Sequence, residues 1–557
     1  MSEPARAKHK PASDHQSFHW DRETLSVAAA AALLSLVSFM IYYRAGDILL
    51  YGDAVAHINI ARRVFDSRTP GLLQLGTVWL PLPHLLIMPF VASSRLWQTG
   101  IGGSIPSMLA YVLGVIGIFR LMQALLGSID VSPAIIRMGS RAGAAIYALN
   151  PNLLYMQSTA MTESLYLALL VWTVVYFQEF VSAARGCPSS ADRRVRSALW
   201  KSGLCVATAC LTRYDGWFLS VSVGFVLGIL WWREGKTTSA VPLLVRYGLL
   251  LAAVPVFWLT YNALVYRNPF EFASGPYSAK AIERKTSVPG SPPHPGASNL
   301  PLAALYFLKC AEINVAEGRL AIFWLLLAGV ATIVFAVRYR RLATPLLLWS
   351  PVGFYALSIA YGGVPIFMPQ WYPYSAYNVR YGLQLLPAFA IFLPLAVLLL
   401  TRWMSDLSVQ RILPLTAGIL LAWSYLTIWH DHPVGYREAF LNSRSRLALE
   451  SQLAAQLSQL PANSTILMYL GNHVGALQQA GIPLRRSVNE GNHRVWMQPS
   501  DPEGLWERSL ANPAQSVDYV VAMAGDPVAD ALRSRSLPVV SRVAVEGQPA
   551  ATIYRAR

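Results

Sequence analysis

The stretch YGDAVAHINIARRVFDSRTPGLLQLGTVWLPLPHLL, from Tyr51 to Leu86, holds the residues best suited to acid–base chemistry. If 53–66 is helical, Asp53 and His57 lie one turn apart on one face, while Val55, Ile58 and Phe65 line another. A carboxylate turned from such a helix toward a cavity at a membrane surface could act as a general base. An interfacial helix with a solvated Asp explains the same pattern. Further on, Trp79, Pro81, Pro83 and His84 fall in one short apolar run. Two prolines two residues apart predict an irregular segment there, of the kind tolerated at membrane depth only when it is buried in protein or lines a cavity.

Three later segments carry isolated polar groups among apolar ones. NPNLLYMQSTAMTESLY (150–166) brings Asn150, Gln157 and Glu163. Glu163 suits the first turn of a helix, and ionisable groups in an apolar bundle point to function by default. LTRYDGWF (211–218) sets Arg213 and Asp215 around Tyr214. This is either a local ion pair or an arginine facing an anion. PQWYPYSAYNVRYGLQLLP (369–387) surrounds Arg380 with five aromatics, among them Tyr381. An aromatic belt accounts for the rings. It does not account for a cation at a helix start, where the helix dipole disfavours it and an anionic partner would offset the cost.

The elements that must position these groups follow from composition. Hydrophobic residues make up 54% of the 557, and only 13% are charged. The mean hydropathy is +0.39. A soluble globular enzyme, a disordered chain and a fibrous chain are excluded. The expected fold class is mainly α, a polytopic membrane protein. It has about eleven spans, near 26–43, 104–125, 142–158, 163–183, 199–211, 216–232, 243–265, 319–337, 343–361, 382–401 and 411–429. Residues 1–25 form a cytoplasmic tail, and the first span is a retained signal anchor. The membrane domain covers 26–429, with a large first outer loop at 44–103. Residues 430–557 form a small extracytoplasmic α/β domain, with a helix near 437–459 and strands near 464–470, 517–523 and 538–554.

The net charge of +16 comes from 45 basic and 29 acidic residues. With eleven spans and the N-terminus inside, the short-loop cations all fall on the cytoplasmic side: Arg137, Arg141, Arg185, Arg193, Arg194, Arg196, Lys201, Arg233, Lys236, Arg338, Arg340, Arg341, Arg402 and Arg411. Cys187, Cys205, Cys210 and Cys310 make no metal-spaced cluster. In the tail, Tyr469, Asn472, His473 and RRSVNEGNHRVW (485–496) make a polar, aromatic cluster, but His473 and His493 lack a third ligand at metal spacing. No metal ligand set and no cofactor are predicted, and dependence on a divalent metal is left open. The lipid bilayer is an expected partner and nucleic acid is not.

Over about 45–430 these segments resemble the GT-C membrane glycosyltransferases. The branch is the one containing protein O-mannosyltransferases, lipid A aminoarabinose transferases and Rgt-like bacterial enzymes. D-x-x-x-H-x-x-I-A-R from Asp53 to Arg62 is similar to the acidic motif of that superfamily. WLPLPHLL (79–86), Asn150 to Glu163, TRYDGW (212–217) and RYGLQLLP (380–387) are similar to its later segments. Ala54 stands where the family often has a second acid, and the family's K-P-P lysine has no match. The resemblance implies transfer of a sugar from a polyprenyl-phosphate donor to an acceptor hydroxyl at the outer face of the membrane, the bacterial inner membrane being the expected one. Asp53 would be the general base, with Glu163 orienting the acceptor or an arginine. Arg62, His84, Arg213 and Arg380 would hold the donor phosphate. His57, Trp79, Gln157, Tyr214, Asp215 and Tyr381 would line the cavity. The competing readings are a lipid-linked saccharide flippase and a transferase of the O-antigen ligase or polymerase type.

Overall fold

The computed structural model describes residues 21–186, 192–233, 241–286, 290, 292–471, 473–492 and 503–557. Cys187, Lys236, Asn472 and His493 lie outside the described residues. The first helix, α1 (Arg22–Ala45), starts where the Asp21 carboxylate accepts the Thr24 N–H at 2.7 Å and ends at Gly46 in the left-handed region. Three short helices then fill the expected outer loop: α2 (Gly52–Arg63), α3 (Leu82–Val91) and α4 (Ser94–Gln98). The expectation of irregular chain at 79–84 is corrected here, because α3 begins at Leu82. Pro81 sits at its cap and Pro83 in its first turn, where a missing N–H costs no helical hydrogen bond.

The bundle continues with α5 (Ile101–Gly127), α6 (Pro133–Ala148), α7 (Pro151–Gln157), α8 (Glu163–Gly186), α9 (Arg193–Cys210), α10 (Asp215–Arg233) and α11 (Val241–Tyr266). Two small helices, α12 (Glu271–Ser274) and α13 (Ala279–Thr286), precede α14 (Leu300–Ile313) and α15 (Gly318–Arg338). After these come α16 (Ser350–Tyr361), α17 (Leu386–Trp403), α18 (Leu407–His430) and α19 (Val434–Leu457). Among the described residues, eight helical stretches are long and apolar enough to cross a membrane. Each of the other three expected spans is also helical, but short or polar. The segment near 142–158 is broken at Asn150–Pro151 into α6 and α7. The helix containing 199–211, α9, carries Arg193, Arg194, Arg196 and Lys201. The segment near 343–361 is a 3-10 turn (Thr344–Trp349) followed by the twelve residues of α16.

Two of the short-loop cations, Arg402 and Arg141, tie helix ends together at one end of the bundle. Arg402 at the end of α17 donates to the Tyr339 hydroxyl at 3.0 Å and to the Asp130 carbonyl, joining the ends of α15 and α5. Arg141 lies 3.4 Å from Glu23 at the start of α1. At the opposite end sit the starts of α2, α8 and α10 and the turn before α17.

The tail folds into a five-stranded mixed sheet of order β2-β1-β3-β5-β4. Its strands are β1 (Ile466–Met468), β2 (Ser487–Val488), β3 (Tyr519–Met523), β4 (Val539–Val543) and β5 (Ala551–Arg555). β1 runs parallel to β2 and β3, while β5 is antiparallel to both β3 and β4. The apolar run at 538–554 thus divides into a hairpin. Asp66, just past α2, fastens this unit to the bundle. It is buried, pairs with Arg62 at 2.7 Å, and accepts the backbone N–H groups of Leu484 and Arg485 at 3.3 Å each. Removing one member of a buried pair costs roughly 3–5 kcal/mol. Asp66→Ala should therefore lower the thermal midpoint of the detergent-purified chain and speed proteolysis near 458–465. An unchanged midpoint and cleavage pattern would contradict this anchoring.

Candidate active site

At the end of the bundle opposite Arg402 and Arg141, four carboxylates from distant parts of the chain surround two arginines. Arg380 lies in a 3-10 turn, Val379–Leu385, that follows Asn378 with φ +60°. Its Nη2 donates to Asp53 Oδ2 at 2.7 Å and its Nη1 to Glu438 Oε1 at 3.1 Å. Its Nε is 3.3 Å from Glu163 Oε1, within ion-pair range but off the angle of a hydrogen bond. The ring of Tyr51 lies 4.9 Å from the Arg380 guanidinium carbon, and that of Tyr381 lies 5.0 Å from it.

Glu438 answers the question of how a cation survives at a helix start. Its two oxygens accept the Asn378 and Val379 N–H groups at 3.1 and 2.8 Å, so one carboxylate from α19 both caps the turn and neutralises the arginine inside it. Gly382 lets the turn press against α14: a Cβ there would lie 2.2 Å from the Cys310 carbonyl oxygen. Asn314 completes the support by donating to the Val379 carbonyl at 2.8 Å.

Arg213 occupies the turn between α9 and α10. Its Nε donates to Asp215 at 3.2 Å, its Nη1 to Thr162 Oγ1 at 2.9 Å and Glu163 Oε1 at 3.3 Å, and its Nη2 to the Tyr355 hydroxyl at 2.9 Å. The local pair with Asp215 therefore exists, and the same guanidinium also reaches into the cluster. Gly216 makes this turn possible, since a Cβ would fall 2.5 Å from the Ala209 backbone. The Tyr381 ring lies between the arginines, 5.2 Å from the guanidinium carbon of Arg213. Glu163 Oε1 lies near both arginines, whereas its Oε2 is buried without a protein partner.

Exposure separates the acids. The Asp53 side chain is 39% accessible, whereas Glu163, Glu438 and Asp215 are at 2% or less. Asp53 is thus the carboxylate that a substrate can reach, held by one hydrogen bond at the N-terminus of α2. Four carboxylates face two guanidiniums, so the site leaves no surplus positive charge unless carboxylates move away or take protons.

A second group lies behind Asp53. The His57 Nδ1 and His84 Nε2 atoms are 2.9 Å apart, so one ring donates to the other, and Trp79 packs 5.0 Å from His57 between ring centres. Burial pushes the His57 pKa down to about 4 and lowers that of His84 as well. Tyr214 pins the loop beside them by donating to the Val78 carbonyl at 3.2 Å while accepting from Trp258 Nε1 at 3.2 Å.

Two expected site residues are elsewhere. Arg62 is consumed in fastening α2 to α3 and α4: besides Asp66, it donates to the Val91 and Ala92 carbonyls at 2.6 and 3.0 Å and packs against Trp97. Gln157 clasps α7 to α1, accepting from Ser35 Oγ at 2.6 Å and donating to the Ser35 carbonyl at 3.2 Å. The structure thus brings together Asp53, Glu163, Arg213, Asp215, Arg380 and Tyr381. It adds Glu438, Tyr355, Tyr51 and Thr162 as their partners. In the tail, the Tyr469 and Tyr277 hydroxyls are 3.3 Å apart, and Gly491 and Asn492 bond to Gln74 and Thr69 of the first loop. Among the described residues no three His, Cys, Asp or Glu side chains are grouped to hold a metal ion.

Similarity to solved structures follows this architecture over nearly the whole chain. ArnT from Cupriavidus metallidurans in the apo state superposes with a TM-score of 0.57 at 12% identity, covering 96% of this chain and 97% of that one. The same protein bound to undecaprenyl phosphate gives 0.52 at 14% identity, covering 95% and 97%. The chain shares the fold of ArnT. No protein-family model and no curated protein sequence matches the chain. Within this shared fold, the Asp53 helix and the Arg380 turn meet although 327 positions separate them in sequence.

His57 carries a pH signature. Its folded pKa of about 4 lies below the ordinary 6.5, so the unfolded chain takes the proton first. Stability should therefore fall as pH drops below about 6.5 and level off near 4. In thermal unfolding, His57→Gln should show a shallower decline over that window than the parent. An identical decline would contradict the assignment.

Proposed function

We propose that this protein is a glycosyltransferase that moves a sugar from a polyprenyl-phosphate donor to an acceptor hydroxyl, with Asp53 as the general base. The observation that carries this reading is the pairing of one accessible carboxylate with a buried arginine at the membrane-surface end of a GT-C fold. ArnT, similar in fold, has been solved with undecaprenyl phosphate bound, which supports a polyprenyl-linked donor. With the basic end of the bundle cytoplasmic, the site faces the outer side, and so does the folded tail.

The donor phosphate and Asp53 compete for Arg380. When the lipid phosphate enters, Arg380 and Arg213 turn to its oxygens as charge-assisted donors, and Asp53 is released toward the acceptor. Asp53 then takes the hydroxyl proton as the acceptor oxygen attacks the anomeric carbon. The bond from that carbon to the phosphate oxygen breaks, and the lipid phosphate leaves with its negative charge held by the arginines. Glu163, placed near both guanidiniums, sets their spacing. Glu438 stays bonded to Arg380 Nη1 while Asp53 moves away. The sugar and the acceptor are open to assignment by experiment.

General-base catalysis contributes about 10²–10⁴-fold. Asp53→Asn should reduce sugar transfer by that factor or more, with protein abundance largely intact and lipid-sugar binding equal or tighter. Full transfer activity in this variant would sink the mechanism. A lipid-linked saccharide flippase would retain its activity in Asp53→Asn, so the same variant separates the two.

A further inference from the structure

A cavity runs along α10 and reaches the end of the bundle opposite Asp53. It has a volume of about 490 Å³ and opens between α8, α10 and α16. Its walls on α10 run through Phe218, Ser222, Val226, Leu230 and Arg233, a stripe spaced three to four residues apart along one helical face. At 1.5 Å per residue this stripe is ~22 Å long. All of it is apolar or small until the last position. There Arg233, Arg185 at the end of α8 and Arg340 after α15 share the rim, and all three are exposed.

The segment before α16 is the 3-10 turn Thr344–Trp349, with Pro345 in its first turn. Thr344, Leu346, Leu347 and Trp349 of that turn line the space facing α8 and α10. Cations at helix C-termini are ordinary, since they complement the dipole and orient a membrane protein. Neither role requires a long apolar groove leading away from them.

A narrow apolar groove ending in three cations complements an anionic amphiphile. A bilayer is about 40–45 Å thick with its headgroups, so the stripe matches one leaflet in length. We propose that this cavity binds an anionic diacyl phospholipid of the leaflet opposite the Asp53 site. One acyl chain lies along α10, and the phosphate lies among Arg185, Arg233 and Arg340. The site is separate from the transfer chemistry and does not depend on it.

Native mass spectrometry of the full-length detergent-purified protein tests the assignment. The probes are dioleoylphosphatidylglycerol, dioleoylphosphatidylcholine, undecaprenyl phosphate and inorganic phosphate. The parent should retain phosphatidylglycerol at least about tenfold better than phosphatidylcholine, and equimolar inorganic phosphate should not displace it. The triple variant Arg185→Gln, Arg233→Gln, Arg340→Gln should remove that preference while leaving phosphatidylcholine retention unchanged. Val226→Phe, which fills the groove without changing charge, should lower phosphatidylglycerol retention by a similar factor. Any of four results would overturn the proposal: equal retention of the two phospholipids by the parent, an unchanged preference in the triple variant, displacement by inorganic phosphate, or retention of undecaprenyl phosphate in place of phosphatidylglycerol.

Discussion

A guanidinium cannot be buried alone, and Arg380 is buried. Transfer of an unpaired ion from water into a protein interior costs several kcal/mol even after relaxation, so the chain must deliver anions to it. It delivers them from three places: Asp53 from α2, Glu163 from α8 and Glu438 from α19. These segments are far apart in sequence, and each is tied down by its own contacts. The Arg62–Asp66 pair fixes α2 against α3, and the tail packs on the same aspartate. Asn152 accepts the Gly435 N–H at 2.9 Å and so holds the start of α19 beside α7. The ion cluster is thus where the first loop, the bundle and the start of the tail are registered against one another.

In the proposed reaction the same cluster sets the chemistry. Four carboxylates around two arginines make an arrangement in which an incoming phosphate must replace a carboxylate. The carboxylate with the most freedom is Asp53, at the mouth. The remaining acids are held by hydrogen bonds or burial and cannot follow it. In the proposed reaction, donor binding and liberation of the base are one exchange at Arg380. The Tyr381 ring packs within 5.0 and 5.2 Å of the guanidinium carbons of Arg380 and Arg213.

Some of this was legible in the sequence. The one-turn spacing of Asp53 and His57, the isolated Glu163, and an arginine at an unfavourable helix position all singled out residues that prove to be neighbours or near-neighbours. Each was an exception to an apolar background, and such exceptions are costly unless partnered. Glu438 was not legible. It stands in VGYREAF, a stretch of ordinary polar composition whose burial depends on tertiary packing against the 378–380 turn. Arg62 shows the converse: a charge on a helix next to a catalytic candidate reads as functional, and its carbonyl partner on α3 is visible only in the fold. The break of 142–158 at Asn150–Pro151 was marked by the proline. The helix over 82–91 was not, because prolines in a first turn and prolines in an irregular loop look alike locally.

The proposed reaction breaks the bond between a sugar and a lipid phosphate at the Asp53–Arg380 site. The most direct measurement presents the purified full-length protein in liposomes with a panel of polyprenyl-phosphate sugars, and follows the lipid products chromatographically. The account predicts that one donor is consumed, releasing free polyprenyl phosphate as its sugar appears on an acceptor hydroxyl. Intact lipid-linked sugar that merely changes leaflet would contradict it.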